Sequence, residues 1–362
     1  MFSPSDYTHM AHALRLAERG LYSTSPNPRV GCVLVHNNQI ISSGWHEKAG
    51  CPHAEIIALR QAGQRARYAT AYITLEPCSH HGRTPPCANA LIEAGIARVV
   101  MAMQDPNPIV SGRGRAMLEQ AGINVQADLL HDEAQALNRG FVSRMTRRRP
   151  WVRLKIAASL DGRIALKNGA SQWITGNAAR LDGHRWRARS CAIMTGIGTV
   201  KADNPQLTVR DLNVVRQPTK VVVDSKLDIS YDARLLQEGN IVIFTANPER
   251  SEEKVMLEER GVRIFVEPNE SGKVDVHKML SRLADLEMNE ILVEAGGELS
   301  GVLIEAGLVD EIIFYFSPQL LGDCAQPMLR LPELTELHNS KKLTIRDVRM
   351  IGKDFRMIAG FE

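Results

Sequence analysis

Over most of its length the chain alternates apolar runs of strand length with segments of helical period, and this alternation, broken once, limits its possible folds more than any other feature. In the first part, helix AEIIALRQAG, strand AYITLE, helix CANALIEAG, strand RVVMAM, helix GRAMLEQAG and strand NVQADL follow one another. Strands separated by helices pair in parallel within a layered sheet, so an α/β/α domain is expected. Ahead of them Ser5 or Asp6 is placed to cap a helix running to about Gly20. VGCVLVHNNQIISSGW then reads as two strands joined at Asn37 and Asn38.

The break falls at SRMTRRRPW, where Arg144, Arg147, Arg148 and Arg149 crowd together and Pro150 ends any helix before it. With 362 residues, too many for one ordinary core, this places two domains at residues 1–147 and 148–362. The arginine run reads as a solvated linker, and no function is assigned to it. The second part again alternates strands (WVRLKIAA, AIMTG, KVVVDS, IVIFTA, VRIFVE, EILVEAG, EIIFYFSP) with helical segments, giving a second α/β domain.

One constellation carries chemistry. His53-Ala54-Glu55 is followed by Glu76-Pro77-Cys78 and then Cys87. One histidine and two cysteines holding zinc, with a nearby glutamate that is not a ligand, is the signature of zinc-dependent hydrolytic deaminases. Three protein ligands leave a fourth position for water, which zinc acidifies toward a pKa of about 7. Glu55, on the first turn of a helix, is the expected general acid and base, giving a proton to a ring nitrogen and then to the departing amine. Cys87 should open a second helix after Pro85 and Pro86, where a thiolate is favoured.

The loop SHHGRTPP between the two cysteines is longer than the usual two-residue spacing, so it must bulge, placing His80, His81, Arg83 and Thr84 to touch substrate. A basic loop suits a phosphorylated substrate. Cys51 and His80 are the alternative ligands by residue type, although a strand-end cysteine or a loop histidine is usually packed or solvated. Asn27, in PNPRVG, reads either as a turn residue between prolines or as a substrate contact beside the hairpin.

The sequence then resembles a known family. SPNPRVGCVLV, GWHEKAGCPHAE and TLEPCSHHGRTPPC look like the deaminase half of the bifunctional riboflavin biosynthesis proteins, which share the longer cysteine spacing. LKIAASLDGRIA, SQWITG, GIGTVKADNPQLTVR and VEAGGELSG are similar to their pyrimidine reductase half. The resemblance implies a cytidine deaminase-like domain followed by a dihydrofolate reductase-like one. The first would remove the exocyclic amine of a diaminopyrimidinone carrying a ribosylamine phosphate. The second would reduce the ribosyl group to ribityl with NADPH. It also implies that Asn27, His46 and His80 meet substrate in the first domain. In the second, Ala157, Trp173, Thr199, Asp203, Ser225 and Gly296, Gly297, Glu298, Leu299 and Ser300 would line the NADPH site, while Ser171, Arg187, Leu207, Arg210 and Glu294 would meet substrate. A homodimer or homotetramer is expected on the same ground.

The residues of the second half supply their own argument. GxGxxG after a strand is missing, so a Rossmann site is not expected. GIGT, with Thr199 as a cap, and VEAGGELSG each follow a strand with glycines before a helix, which suits either a phosphate or a plain tight turn. Arg187 and Arg210 fit a sugar phosphate, the alternative being a surface salt bridge. Hydride transfer also needs a proton for the sugar oxygen, and Lys155, Asp203 and Glu294 are the ionisable candidates.

Two rival readings are weighed against this one. An RNA-editing deaminase needs a basic, aromatic surface, but aromatics are 5% and the net charge is +3. A purely structural zinc usually has four protein ligands, where three are convincing here. Neither a nucleic-acid nor a membrane partner is expected, no stretch resembles a signal peptide or a span, and six irregularly spaced cysteines suit the cytoplasm.

Overall fold

In the computed structural model, which describes residues 1–79, 86–108, 110–249 and 252–362, the chain divides into two compact units, Met1–Arg148 and Arg149–Glu362.

The first unit begins with α1 (Pro4–Glu18), and its cap is Ser3 rather than Ser5 or Asp6. Pro4, with no N–H and a fixed φ, suits the first helical position. That puts Asp6 third, where its carboxylate accepts the Ser3 N–H at 2.7 Å while Ser3 Oγ accepts the Asp6 N–H. Strands β1 (Gly31–His36) and β2 (Gln39–Trp45) pair antiparallel through Asn37 and Asn38, whose φ values of 47° and 62° make the left-handed turn that a two-residue hairpin needs. Then follow α2 (Ala54–Ala62), β3 (Thr70–Ile73), α3 (Cys87–Glu93), β4 (Arg98–Met101), α4 (Arg113–Gln120), β5 (Asn124–Gln126), α5 (His131–Leu137) and α6 (Arg139–Arg147). The sheet order is β2-β1-β3-β4-β5, parallel from β3 to β5 and antiparallel at β1. Alternate residues serve two cores: Cys32, Leu34, Ala71 and Ile73 pack with Ala58 and Leu91 of α2 and α3, while Val33, Val35 and Tyr72 pack with Met10 and Ala134 of α1 and α5. The result is three layers, α/β/α.

The second unit runs β6 (Trp151–Ser159), β7 (Arg163–Ala165), α7 (Asn177–Arg189), β8 (Ala192–Gly196), α8 (Ile197–Asp203), β9 (Thr219–Val223), β10 (Ile241–Thr245), α9 (Glu252–Glu259), β11 (Arg263–Val266), α10 (Val276–Asp285), β12 (Glu290–Val293), α11 (Gly297–Glu305), β13 (Glu311–Ser317), β14 (Gln326–Pro327), β15 (Leu343–Ile351) and β16 (Asp354–Phe361). Its nine-stranded sheet has the order β11-β10-β9-β8-β12-β6-β13-β16-β15. Strands from β11 to β13 are parallel, and the C-terminal hairpin adds two antiparallel strands at the edge. In such sheets ligands gather at the carboxyl ends of the parallel strands.

Arg149 is not a solvated linker residue. Its guanidinium grips Asp310 at 2.8 and 3.0 Å, and Asp310 also accepts the Val152 N–H, fixing the start of β6. Among the described residues no helix is long and apolar enough to cross a membrane.

Candidate active sites

In the first unit, the starts of two helices and the loop after β3 bring three ligand atoms together. His53 is the N-cap of α2, Cys87 is the first residue of α3, and Cys78 lies beyond β3. His53 Nδ1 is 3.2 Å from Cys87 Sγ and 3.6 Å from Cys78 Sγ. Zinc bonds of about 2.0 Å to nitrogen and about 2.3 Å to sulfur give tetrahedral edges of about 3.5 Å, so these three residues fit the ion. Cys51 is exposed and lies outside the cluster.

The protons in this cluster are already distorted. A hydrogen bond from Cys87 pulls the Cys78 thiol well below its usual value, helped by His53, and the same bond pushes Cys87 up. Glu55 is 3% exposed, and burial raises its carboxyl to about 7 although His53 draws it down. A group poised near neutrality both takes and gives a proton.

The loop that carries Cys78 is pinned from beneath. The buried Glu76 carboxylate accepts backbone N–H groups of Asp105 at 3.2 Å, Gly112 at 3.0 Å and Arg115 at 3.1 Å, at the start of α4. Gly114 lets α4 approach, because a Cβ there would stand 2.0 Å from the Pro77 carbonyl. Sequence reading used Glu76 only as part of a motif.

His46 faces His53 edge-on, ring centres 5.5 Å apart. Its Nδ1 lies 3.2 Å from the Pro52 carbonyl, which can only accept, so the proton sits on Nδ1 and Nε2 accepts from the Asn27 amide at 3.1 Å. Burial lowers the His46 pKa and keeps the ring neutral. Asn27 and His46, read separately from the sequence, therefore form one unit beside the metal cluster. His80, His81, Arg83 and Thr84 lie outside the described residues.

The second unit holds a cleft of about 1440 Å³ at the carboxyl ends of the parallel strands, and Ala157, Trp173, Thr199, Asp203, Ser225, Gly296, Gly297, Glu298 and Leu299 line it. So do Lys155, Ser171, Arg187, Leu207, Arg210 and Glu294. Ser300 does not; it is fully buried, its hydroxyl turned to the Ala295 carbonyl at 3.4 Å. Thr199 is not a cap either. Gly196 caps α8, and Thr199, inside the helix, accepts the Gly296 N–H at 3.1 Å, tying the two glycine turns together.

Glu294 anchors the cleft floor. Arg187 grips it at 2.6 and 3.0 Å, and Lys155 Nζ stands 3.7 Å away. Burial opposes its charge, but Arg187 and Lys155 prevail and hold the carboxyl at about 2. Arg187 is thus already bound to a carboxylate, which the expectation of a phosphate partner did not foresee. Ser171 reaches Asp203 at 3.4 Å, and Ser225 Oγ accepts the Val274 N–H at 3.2 Å.

The two sites belong to different chemistries, a zinc-dependent deaminase followed by a reductase. The model described as the cytidine and deoxycytidylate deaminase zinc-binding region matches residues 3–103, and that of the RibD C-terminal domain matches residues 150–357. The chain belongs to the bifunctional riboflavin biosynthesis protein family, which joins deaminase and reductase activities and uses zinc and NADPH. It is 46% identical to riboflavin biosynthesis protein RibD of Escherichia coli (strain K12) over 361 residues, 96% of this chain and 97% of that protein. The Haemophilus influenzae protein of that name is 45% identical, covering 98% of this chain and 97% of its own length. Among solved structures, Acinetobacter baumannii RibD superposes with a TM-score of 0.93 at 42% identity and 99% of both chains. A Thermotoga maritima diaminohydroxyphosphoribosylaminopyrimidine deaminase/5-amino-6-(5-phosphoribosylamino)uracil reductase gives 0.87 at 32% identity, again over 99% of both chains.

Proposed function

We propose that the first unit hydrolytically deaminates a diaminopyrimidinone bearing a ribosylamine phosphate and that the second reduces the deaminated ribosyl compound to its ribityl form. The observation that carries this reading is the meeting of His53, Cys78 and Cys87 beside the buried Glu55. Those three side chains would hold zinc, which acidifies the attacking water when bound. Glu55 accepts the proton that water loses, passes it to the ring nitrogen, and delivers a proton to the amine as the carbon–nitrogen bond breaks and ammonia leaves. The Asn27–His46 pair, a neutral donor and acceptor unit, orients the pyrimidine.

In the second unit the residues around the Gly196 and Gly296 turns would hold NADPH, which would supply a hydride when bound. Glu294, held ionised, cannot donate a proton at neutral pH. It fixes Lys155, whose ammonium gives a proton to the sugar oxygen as the ring opens. Ser171, Arg187, Leu207 and Arg210 contact substrate, and Arg187 also holds Glu294 in place. A cytoplasmic homodimer or homotetramer belongs to the same reading, and sedimentation of the purified chain tests the assembly. The function is tested by supplying the phosphorylated diaminopyrimidinone and following ammonia and NADPH together.

A further inference from the structure

Asn138 stands at the junction of α5 and α6 and is 1% exposed. Its backbone is spent within the two helices. The N–H donates to the Ala134 and Gln135 carbonyls at 3.2 and 3.1 Å, and the carbonyl accepts the Val142 N–H at 2.9 Å. The side chain turns instead to a residue 109 positions earlier in the chain. Its Oδ1 accepts the Arg29 N–H at 2.8 Å, and its Nδ2 donates to the Arg29 carbonyl at 2.9 Å. A primary amide offers an acceptor and a donor side by side, so it pairs with the backbone of one residue as a neighbouring strand would. Two further bonds join the same junction to the same segment. Arg29 Nη1 donates to the Leu137 carbonyl at 2.7 Å, and Arg144 Nη2 of α6 donates to the Pro26 carbonyl at 3.4 Å.

These bonds bracket Asn27. A second set ties the segment to residues that follow β2 and β3. The His46 N–H donates to the Val30 carbonyl at 2.9 Å, the Gly31 N–H donates to Thr74 Oγ1 at 3.1 Å, and the Thr74 N–H donates to the Gly31 carbonyl at 3.1 Å. Asn27 itself is half-buried and spends one amide hydrogen on His46 Nε2, which leaves its Oδ1 and second hydrogen for a ligand. Where that amide points depends on where the backbone two residues on is pinned, and small misplacements of an orienting group are costly.

We infer that Asn138 is a positioning residue of the deaminase site: by fixing the Arg29 peptide groups it sets where Asn27 stands against His46, and so how the pyrimidine is oriented. It acts through Asn27 and not on the reacting atoms. This rests on the reading above in which the Asn27–His46 pair orients the pyrimidine.

The test follows ammonia release from the diaminopyrimidinone ribosylamine phosphate by the full zinc-loaded chain. Asn138→Asp keeps the shape and the acceptor but loses the donor, and it sets an oxygen against the Arg29 carbonyl. Asn138→Ala removes both bonds. Each raises KM about two- to tenfold, the range for one hydrogen bond between neutral groups, while kcat changes less than KM and zinc content stays full. The pH profile, which Glu55 governs, keeps its midpoint. Asn27→Ala shows the same rise, and adding either Asn138 variant to it raises KM no further, because a residue that works through Asn27 then has nothing to position. A merely structural role would make the two effects multiply. Should Asn138→Ala lose zinc, Asn138→Asp carries the test. An unchanged KM in the Asn138 variants, multiplied effects in the double variants, or zinc lost from both overturns the assignment. Wild-type KM in Asn27→Ala removes the orienting role of Asn27 and the inference with it, whereas a raised KM there beside unaffected Asn138 variants strikes the inference alone.

Discussion

His53 Nδ1 lies 3.2 Å from Cys87 Sγ, although 34 residues separate the two in the chain. The three side chains stand at the spacing that a single zinc ion requires. Chelating the metal should abolish ammonia release and leave NADPH binding unchanged, and added zinc should restore the lost activity. Cys87→Ser should lower the bound zinc, measured by metal analysis, because a hydroxyl is a poor substitute for a thiolate.

Glu55→Gln should separate binding from chemistry. The amide fits the same buried position but cannot shuttle protons, so the variant should retain a full complement of zinc while its deamination rate falls about 10²- to 10⁴-fold. Retained activity would remove Glu55 from the mechanism.

Glu76 satisfies three backbone N–H groups from inside the protein. Glu76→Ala removes this shared acceptor, at a cost of about 1–3 kcal/mol for each group that stays unsatisfied. Denaturant unfolding should show the first unit destabilised, and zinc should dissociate faster as the Cys78 loop loosens.

Glu294 gives a dependence on pH with a definite sign. Its carboxyl is held at about 2, below the unfolded value of about 4.3, by Arg187 and Lys155 against burial. A depressed pKa stabilises the fold above the unfolded value, and that stability is lost as the pH falls from about 4.3 toward about 2. Glu294→Gln should be less stable than wild type at pH 7, with the gap closing as acid is added. A gap that widens in acid would contradict the ion pair.

Much of this was legible in the sequence because local and global signals agree. The hairpin at Asn37 and Asn38, the helix starts at His53 and Cys87, and the glycine turn at Gly296 are short-range features with fixed chemistry. The C-terminal hairpin was not read, because β15 is an exposed edge strand in which Arg346, Asp347 and Arg349 interrupt the apolar run. The Glu294 partner of Arg187 was not legible, because side-chain type says nothing of a carboxylate 107 residues away. Thr199 was placed as a cap because a threonine after glycine suits that role, whereas the tie to Gly296 depends on tertiary structure.

The most direct test of two chemistries in one chain is to give the purified protein the diaminopyrimidinone ribosylamine phosphate, with and without NADPH, and to follow ammonia release and nicotinamide absorbance together. The account predicts ammonia in both cases and NADPH oxidation only after deamination. NADPH oxidation without ammonia, or ammonia with no oxidation at any time, would contradict it.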